Sequence, residues 1–197
     1  MRAQGGFALT MTCASHVQAV GQGFAGQLGC FGDQHLEGLT RLANAINKED
    51  SLSFVQLHHA GRRSPKELIG DQPVSSGVDE KMDSRAMTTE EVEEMVEAFI
   101  VAAVRSEKAG YHGVELHGAH DYVLCQFLNA ELNLQASILY CFRSLACLIS
   151  IQIFGILYSV SCILDPVSIF SVSCILNRIL YSVFCILHSV IVFGVLF

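Results

Sequence analysis

The chain has 197 residues, 12 Lys and Arg against 19 Asp and Glu, a formal charge of -7, and 51% hydrophobic against 16% charged residues. That length accommodates one domain with a real core, and the apolar content excludes intrinsic disorder. The acidic balance and the lack of a basic run exclude a nucleic-acid-binding surface.

The charge is unevenly spread. Residues 1–133 carry 10 of the Lys and Arg and 18 of the Asp and Glu, whereas residues 134–197 carry only Arg143, Asp165 and Arg178. Fourteen of the 16 Gly precede residue 134, and five of the 8 Cys follow it. The expected organisation is a globular α/β front, 1–133, joined to an unrelated hydrophobic, low-complexity tail, 134–197. Met1-Arg2-Ala3-Gln4-Gly5-Gly6 lacks the apolar run of a signal peptide, so the front is expected to be cytoplasmic. Cys13, Cys30 and Cys125 are scattered without a CxxC, so neither a disulfide framework nor a zinc site is signalled.

In chain order, residues 7–13 form a short apolar run suited to a buried strand. Gly21, Gly23, Gly26, Gly29 and Gly32 mark a loop. Asp33 is the expected N-cap of a helix whose apolar positions are Leu36, Leu39, Leu42, Ala43 and Ile46. Residues 52–57 form a second strand, and 58–87 are polar and irregular. The spacing of Thr88 and Glu91 predicts a capping box opening a helix over 89–109. Its stripe is Val92, Met95, Val96, Phe99, Ile100 and Ala103, and Gly110 ends it. A third strand, 113–117, follows at once. Strands alternating with helices, without hairpin signals, imply parallel pairing. A doubly wound sheet and a (β/α)8 barrel both satisfy that order.

Candidate chemistry gathers at the strand ends. Gln56 closes the second strand, followed by His58, His59, Gly61, Arg62 and Arg63. His117 closes the third, with His120 and Tyr122 beyond it. In parallel α/β folds the C-terminal strand ends build the active site. An amide, imidazoles and a phenol suit a planar polar ligand and proton transfer. Each group alone also has an ordinary reading: a loop contact for Gln56, a solvated loop for His58-His59 and Arg62-Arg63, a packed ring for Tyr122. His117 and His120 are spaced as HxxH, but without HExxH or a clear third ligand a metal site is not expected.

Gln56-Leu57-His58-His59-Ala60-Gly61-Arg62 resembles the Q-L-x-H-x-G-R segment of the Old Yellow Enzyme family of NADH:flavin oxidoreductases. Residues 115–122 and Gln126-Phe127-Leu128 resemble its E-I-H-x-A-H-G-Y and Q-F-L segments. Arg2-Ala3-Gln4-Gly5-Gly6 and residues 88–92 match in order as well. The resemblance covers about residues 1–133. It implies a partial (β/α)8 TIM barrel of about three parallel strands and two main helices. It implies FMN as cofactor and NAD(P)H as hydride source. The partner would be a small-molecule electron acceptor, an electron-poor alkene or quinone. By resemblance, Ala14 places its backbone near the flavin, and Gln56 bonds the pyrimidine edge. His117 and His120 hold the acceptor oxygen, His117 also touches the flavin, and Tyr122 donates the proton. Arg62 is given no role.

Several positions depart from the family pattern. Cys13 stands for a common Glu, His58 for an aromatic residue, Asn129-Ala130 for Ser-Pro, and Asp121 for a Gly between His120 and Tyr122. If that Gly serves a positive φ, Asp121 strains the turn. Its charge would also disfavour a reduced flavin. The chain begins near the family's second strand. After Asn133 it has no counterpart of the later strands, their flavin-binding Arg or their phosphate-binding glycine loops. The expectation is that this chain alone binds FMN weakly or not at all.

Residues 144–164 and 179–197 are uncharged, each about the length of a membrane helix. Three near-copies start at Tyr158, Phe170 and Tyr181. The preferred reading is repeat DNA translated after a splice or frame error. The alternatives are two membrane anchors on a non-catalytic fragment, which would relocate the chain to a membrane, and a β-prone aggregating stretch. Self-association through the exposed edges of a partial barrel is also expected.

Overall fold

The computed structural model describes residues 1–129 and 131–133, together with the backbone of residues 192–196. The elements are β1 (Leu9–His16), α1 (Leu36–Asn47), β2 (Leu52–His58), α2 (Lys66–Ile69), β3 (Val74–Ser75), β4 (Arg85–Ala86), α3 (Thr89–Lys108), β5 (Gly113–His117), α4 (Val123–Leu128) and β6 (Val192–Leu196). The main sheet runs β1-β2-β5-β6. The first three strands are parallel, as the strand–helix alternation predicts, and β6 pairs antiparallel with β5. β3 and β4 form a separate two-stranded parallel sheet.

Alternation along the strands divides the sheet into two working faces. Val55 and Leu57 lie in register with Val114 and Leu116, and all four enter the core. They pack with Leu39 and Ala43 of α1 and with Val92, Met95, Phe99 and Ala102 of α3. The intervening residues, Gln56 and His58 on β2 and Glu115 and His117 on β5, are therefore left for the other face. One buried face anchors two helices; its reverse carries the polar residues.

The helices differ from expectation in detail. The Thr88–Glu91 capping box forms in both directions, and Gly110 follows α3 with φ +89°. The fully buried stripe of α3 is Val92, Met95, Phe99, Ala102 and Ser106; the expected Val96 and Ala103 pack against the core partly buried, and Ile100 is half-buried outside the cluster. Asp33 is not the cap of α1. It opens a 3-10 turn at Asp33–His35 and bonds the Arg105 Nε at 3.0 Å instead. Residues 58–87 are less irregular than their composition suggests, since α2, β3 and β4 all fall there. The short α4 was not anticipated either.

The first strand starts and ends later than the apolar run. It continues to His16, so Ala14 lies inside it rather than after it. A bulge between Met11 and Ala14 shifts its register against β2. The Thr12 hydroxyl accepts the Gln56 N–H at 3.2 Å and donates to the Cys13 carbonyl at 2.9 Å, which stabilises the irregular step. The extra residue brings Ala14, not Cys13, opposite Gln56.

Among the described residues, no helix is long and apolar enough to cross a membrane. The uncharged runs 144–164 and 179–197 fall outside the described side chains. Cys13, Cys30 and Cys125 are free thiols.

Candidate active site

Three strands deliver the site in rows. Ala14, Gln56 and Glu115 are register partners across β1, β2 and β5. One step further along the same face lie His58 and His117, with ring centroids 5.5 Å apart. Tyr122 joins them from the N-terminus of α4, at 4.3 Å from His58 and 4.9 Å from His117. His120 stands at 5.2 Å from His117 and 6.5 Å from Tyr122. The structure thus brings His117, His120 and Tyr122 into one ring cluster, with Gln56 and Ala14 a row behind it.

The groups in the rows are electrostatically distinct. Gln56 Nε2 donates to Glu115 Oε1 at 3.2 Å. Glu115 is buried, which pushes its carboxyl pKa up, and its Oε2 has no partner among the described residues. Burial, helped by the neighbouring His117, lowers His58 to about 3. His117 is also lowered, first by burial and then by His120. Burial thus favours His58 and His117 as neutral imidazoles, which can donate hydrogen bonds without carrying charge.

The turn that carries His120 and Tyr122 is strained. His120 has φ +56° and Asp121 φ +59°, both left-handed. Each costs on the order of 1 kcal/mol for a residue with a Cβ. Asp121 therefore occupies a conformation that a Gly would take freely. Its charge, however, is not left facing the rings. Both of its oxygens accept from Arg62 Nη2 at 2.8 Å, and Oδ2 accepts from Arg63 Nε at 3.0 Å. Arg62 also pairs with Asp79. Arg62, which the sequence left without a role, is the hub tying the β2 loop to the turn before α4.

That hub yields a stability prediction. The Arg62, Asp79 and Asp121 side chains are only 16%, 14% and 27% exposed. Arg62→Ala removes the cation that both carboxylates share, and is expected to lower the unfolding free energy by about 3 kcal/mol. Urea unfolding measures it; a loss below about 1 kcal/mol would show the network to be effectively solvated.

A second clasp backs the first. Gln126 is fully buried. Its Nε2 donates to the Asp121 carbonyl at 2.7 Å and the Ala60 carbonyl at 3.3 Å. Its Oε1 accepts from Arg62 N at 3.2 Å and Ser75 Oγ at 2.9 Å. His59 is structural in the same sense. Its Nδ1 accepts the Gly61 N–H at 3.0 Å, and its ring closes against Gly21, where a Cβ would lie 2.4 Å from Cδ2. His58 and His59, adjacent in sequence, thus face different tasks.

Gln27, whose Nε2 lies 3.0 Å from His58 Nδ1, completes this arrangement with Glu115, Asp79 and Gln126, and sequence reasoning gave none of them a role. Glu115 and Gln126 lie in the quoted motifs, so a signal existed for them. Gln27 and Asp79 lie in loops, where no periodicity marks a partner. Among the described residues, no group of three His, Cys, Asp or Glu could hold a metal ion.

Comparison with known proteins places this geometry. Residues 1–138 match the model of the NADH:flavin oxidoreductase / NADH oxidase family. A probable NADH-dependent flavin oxidoreductase of Bacillus subtilis is 38% identical over 129 residues, covering 64% of this chain and 35% of its own length. An NADPH dehydrogenase of Bacillus cytotoxicus is 37% identical, covering 67% of this chain and 38% of its own length. The chain thus spans little more than a third of these relatives. Among solved structures, an old yellow enzyme homologue from Zymomonas mobilis superimposes with a TM-score of 0.62 at 26% identity, over 68% of this chain and 42% of that one. A 2-naphthoyl-CoA reductase gives 0.60 at 33% identity, over 64% and 22%. The family model spans more than half of the chain and the parallel-strand fold is shared with solved relatives: the chain belongs to the NADH:flavin oxidoreductase / NADH oxidase family.

Proposed function

We propose that residues 1–133 form the flavin-facing and acceptor-facing part of an FMN-dependent NAD(P)H oxidoreductase of the ene-reductase type. The observation that carries this reading is the contact of His117, His120 and Tyr122 one row beyond Gln56 on adjacent parallel strands. Gln56 fits the pyrimidine edge of a flavin. Among the described residues, its Oε1 and second N–H have no side-chain partner while Glu115 holds the first N–H, and that edge alternates acceptors with one donor. Ala14 offers backbone in the same row. The anionic end of FMN is a different matter. Arg62 and Arg63, the cations nearest the turn, are already paired with Asp79 and Asp121. The ring edge is provided for; a phosphate anchor is not, among the described residues.

FMN, when bound, supplies the relay of hydride from NAD(P)H to the acceptor. The chain's own residues do the rest. His117, held neutral chiefly by burial, and His120 beside it would aim N–H donors at the acceptor oxygen, polarising an alkene carbonyl or quinone as negative charge grows there. Tyr122, in contact with His117, is placed to give a proton to the adjacent carbon. The burial of His58 behind Tyr122 keeps water from that side of the ring.

Titration of the full chain with FMN, followed by flavin fluorescence, is expected to show no saturation in the submicromolar range. A chimera joining residues 1–133 to the later strands of the Bacillus subtilis relative is expected to bind FMN and couple NAD(P)H oxidation to a quinone or an activated alkene. Tyr122→Phe in that chimera should slow alkene reduction by roughly 100-fold or more while leaving flavin reduction by NAD(P)H intact. A chimera that binds FMN yet reduces neither acceptor would refute the reading.

A further inference from the structure

The Gly-rich segment between β1 and α1 places a side chain that the proposed chemistry has not used. Gln27 is buried beneath the site. Its Oε1 accepts the Gly23 N–H at 2.6 Å, and its Nε2 donates to the Ala14 carbonyl at 3.0 Å. A backbone donor on one side and a backbone acceptor on the other fix which end of the amide is which. The same Nε2 lies 3.0 Å from His58 Nδ1. With the amide orientation set, Nδ1 must accept, and the ring proton must reside on Nε2. His58 Nε2 is buried and has no partner among the described residues. A Cβ on Gly23 would come 3.4 Å from His58 Cε1 and 3.3 Å from the Ala60 Cβ, so this loop lies directly against the His58 ring.

We propose that Gln27 is a positioning residue that locks His58 as its Nε2–H tautomer, giving the ring cluster a further fixed, neutral N–H donor beside His117 and His120. The inference rests on the proposed function for what the donor serves: an acceptor oxygen reaching His58 Nε2 would satisfy a group that otherwise has no partner. The tautomer itself does not rest on that reading. Among the described residues, His117, His59 and His16 each lower the His58 pKa, and the Tyr122 ring packs edge-on against it at 4.3 Å.

The test uses the full chain with 15N-labelled histidine and long-range proton–nitrogen correlation, with His58 assigned by His58→Asn. Wild type is expected to show the proton on Nε2, unchanged between pH 5 and 8. Gln27→Glu keeps the size and the acceptor for Gly23, but it cannot donate to Nδ1. The proton should move to Nδ1, and the midpoint of the ring should rise from about 3 to roughly 5. A proton on Nδ1 in the wild type overturns the proposal without any variant. A Gln27→Glu spectrum with the wild-type tautomer and midpoint overturns it too. Loss of acceptor reduction in the chimera with the tautomer as stated would count against the proposed function alone.

Discussion

Gly61→Ala is expected to cost about 4 kcal/mol of stability. Gly61 has φ +63°, where an L side chain costs on the order of 1–2 kcal/mol. A Cβ there would also lie 2.2 Å from Gln126 Oε1 and 2.8 Å from both Cδ and Nε2. Gln126 cannot simply swing away. Its amide satisfies Ala60, Asp121, Arg62 and Ser75, and moving it leaves buried groups unpaired. Overpacking of this kind adds about 1–3 kcal/mol. Gly110→Ala provides the control, since Gly110 has φ +89° and nothing within 4 Å of the added Cβ. It should show the backbone cost alone, about 1–2 kcal/mol. Urea midpoints measure both. Equal losses at the two glycines would mean that the Gln126 clasp yields without cost.

The same clasp explains why the two sequence motifs travel together. Gly61-Arg62 ends the first motif, and Asp121 with Gln126 belongs to the second. They meet through two carboxylate–guanidinium contacts and one buried amide. The rings of the cluster do not hold themselves in place. His120 and Asp121 sit in left-handed conformations that persist because Arg62 and Gln126 grip the turn from either side. The motif residues divide accordingly: His117, His120 and Tyr122 face the cluster, while Gly61, Arg62, Asp121 and Gln126 fix its frame.

Periodicity made the frame of the fold legible. The α3 helix is expected from a capping box and an apolar stripe, and both form. The parallel order of β1, β2 and β5 follows from strands separated by helices. What periodicity could not show was parity. A bulge in β1 adds one residue and decides that Ala14 rather than Cys13 stands opposite Gln56. No residue pattern marks that step, because it is set by the Thr12 hydroxyl replacing a ladder bond. Loop partners were hidden for a related reason. Asp33 looks like a helix cap by position, but its carboxylate reaches Arg105 from a residue 72 positions away. Gln27 and Asp79 act through contacts that only the folded chain creates. The tail beyond residue 133 falls outside the described side chains, and only the pairing of β6 with β5 is seen there.

Acid should destabilise the chain well before its carboxylates are fully protonated. His58 and His59 are 1% exposed and are held near 3 and 4, below the 6.5 of a free imidazole. Burial is the first cause for both, and neighbouring His16 adds to each. The folded chain therefore refuses protons that the unfolded chain binds. Stability from these groups is complete above about pH 6.5 and is lost as the pH falls toward 4 and then 3. At pH 4.5 each contributes a loss of about 2.6 kcal/mol. Glu115 works in the opposite direction, because its raised pKa favours the folded state as the solution becomes acidic. A single histidine is isolated by His59→Asn, whose Oδ1 can take over the Gly61 N–H that Nδ1 accepts. The variant should lose stability at pH 7.5 through poorer packing, yet its slope between pH 6.5 and 4.5 should be shallower by about one proton, roughly 1.4 kcal/mol per pH unit. A wild-type chain whose urea midpoint is flat across that interval would mean that the paired histidines titrate as though exposed.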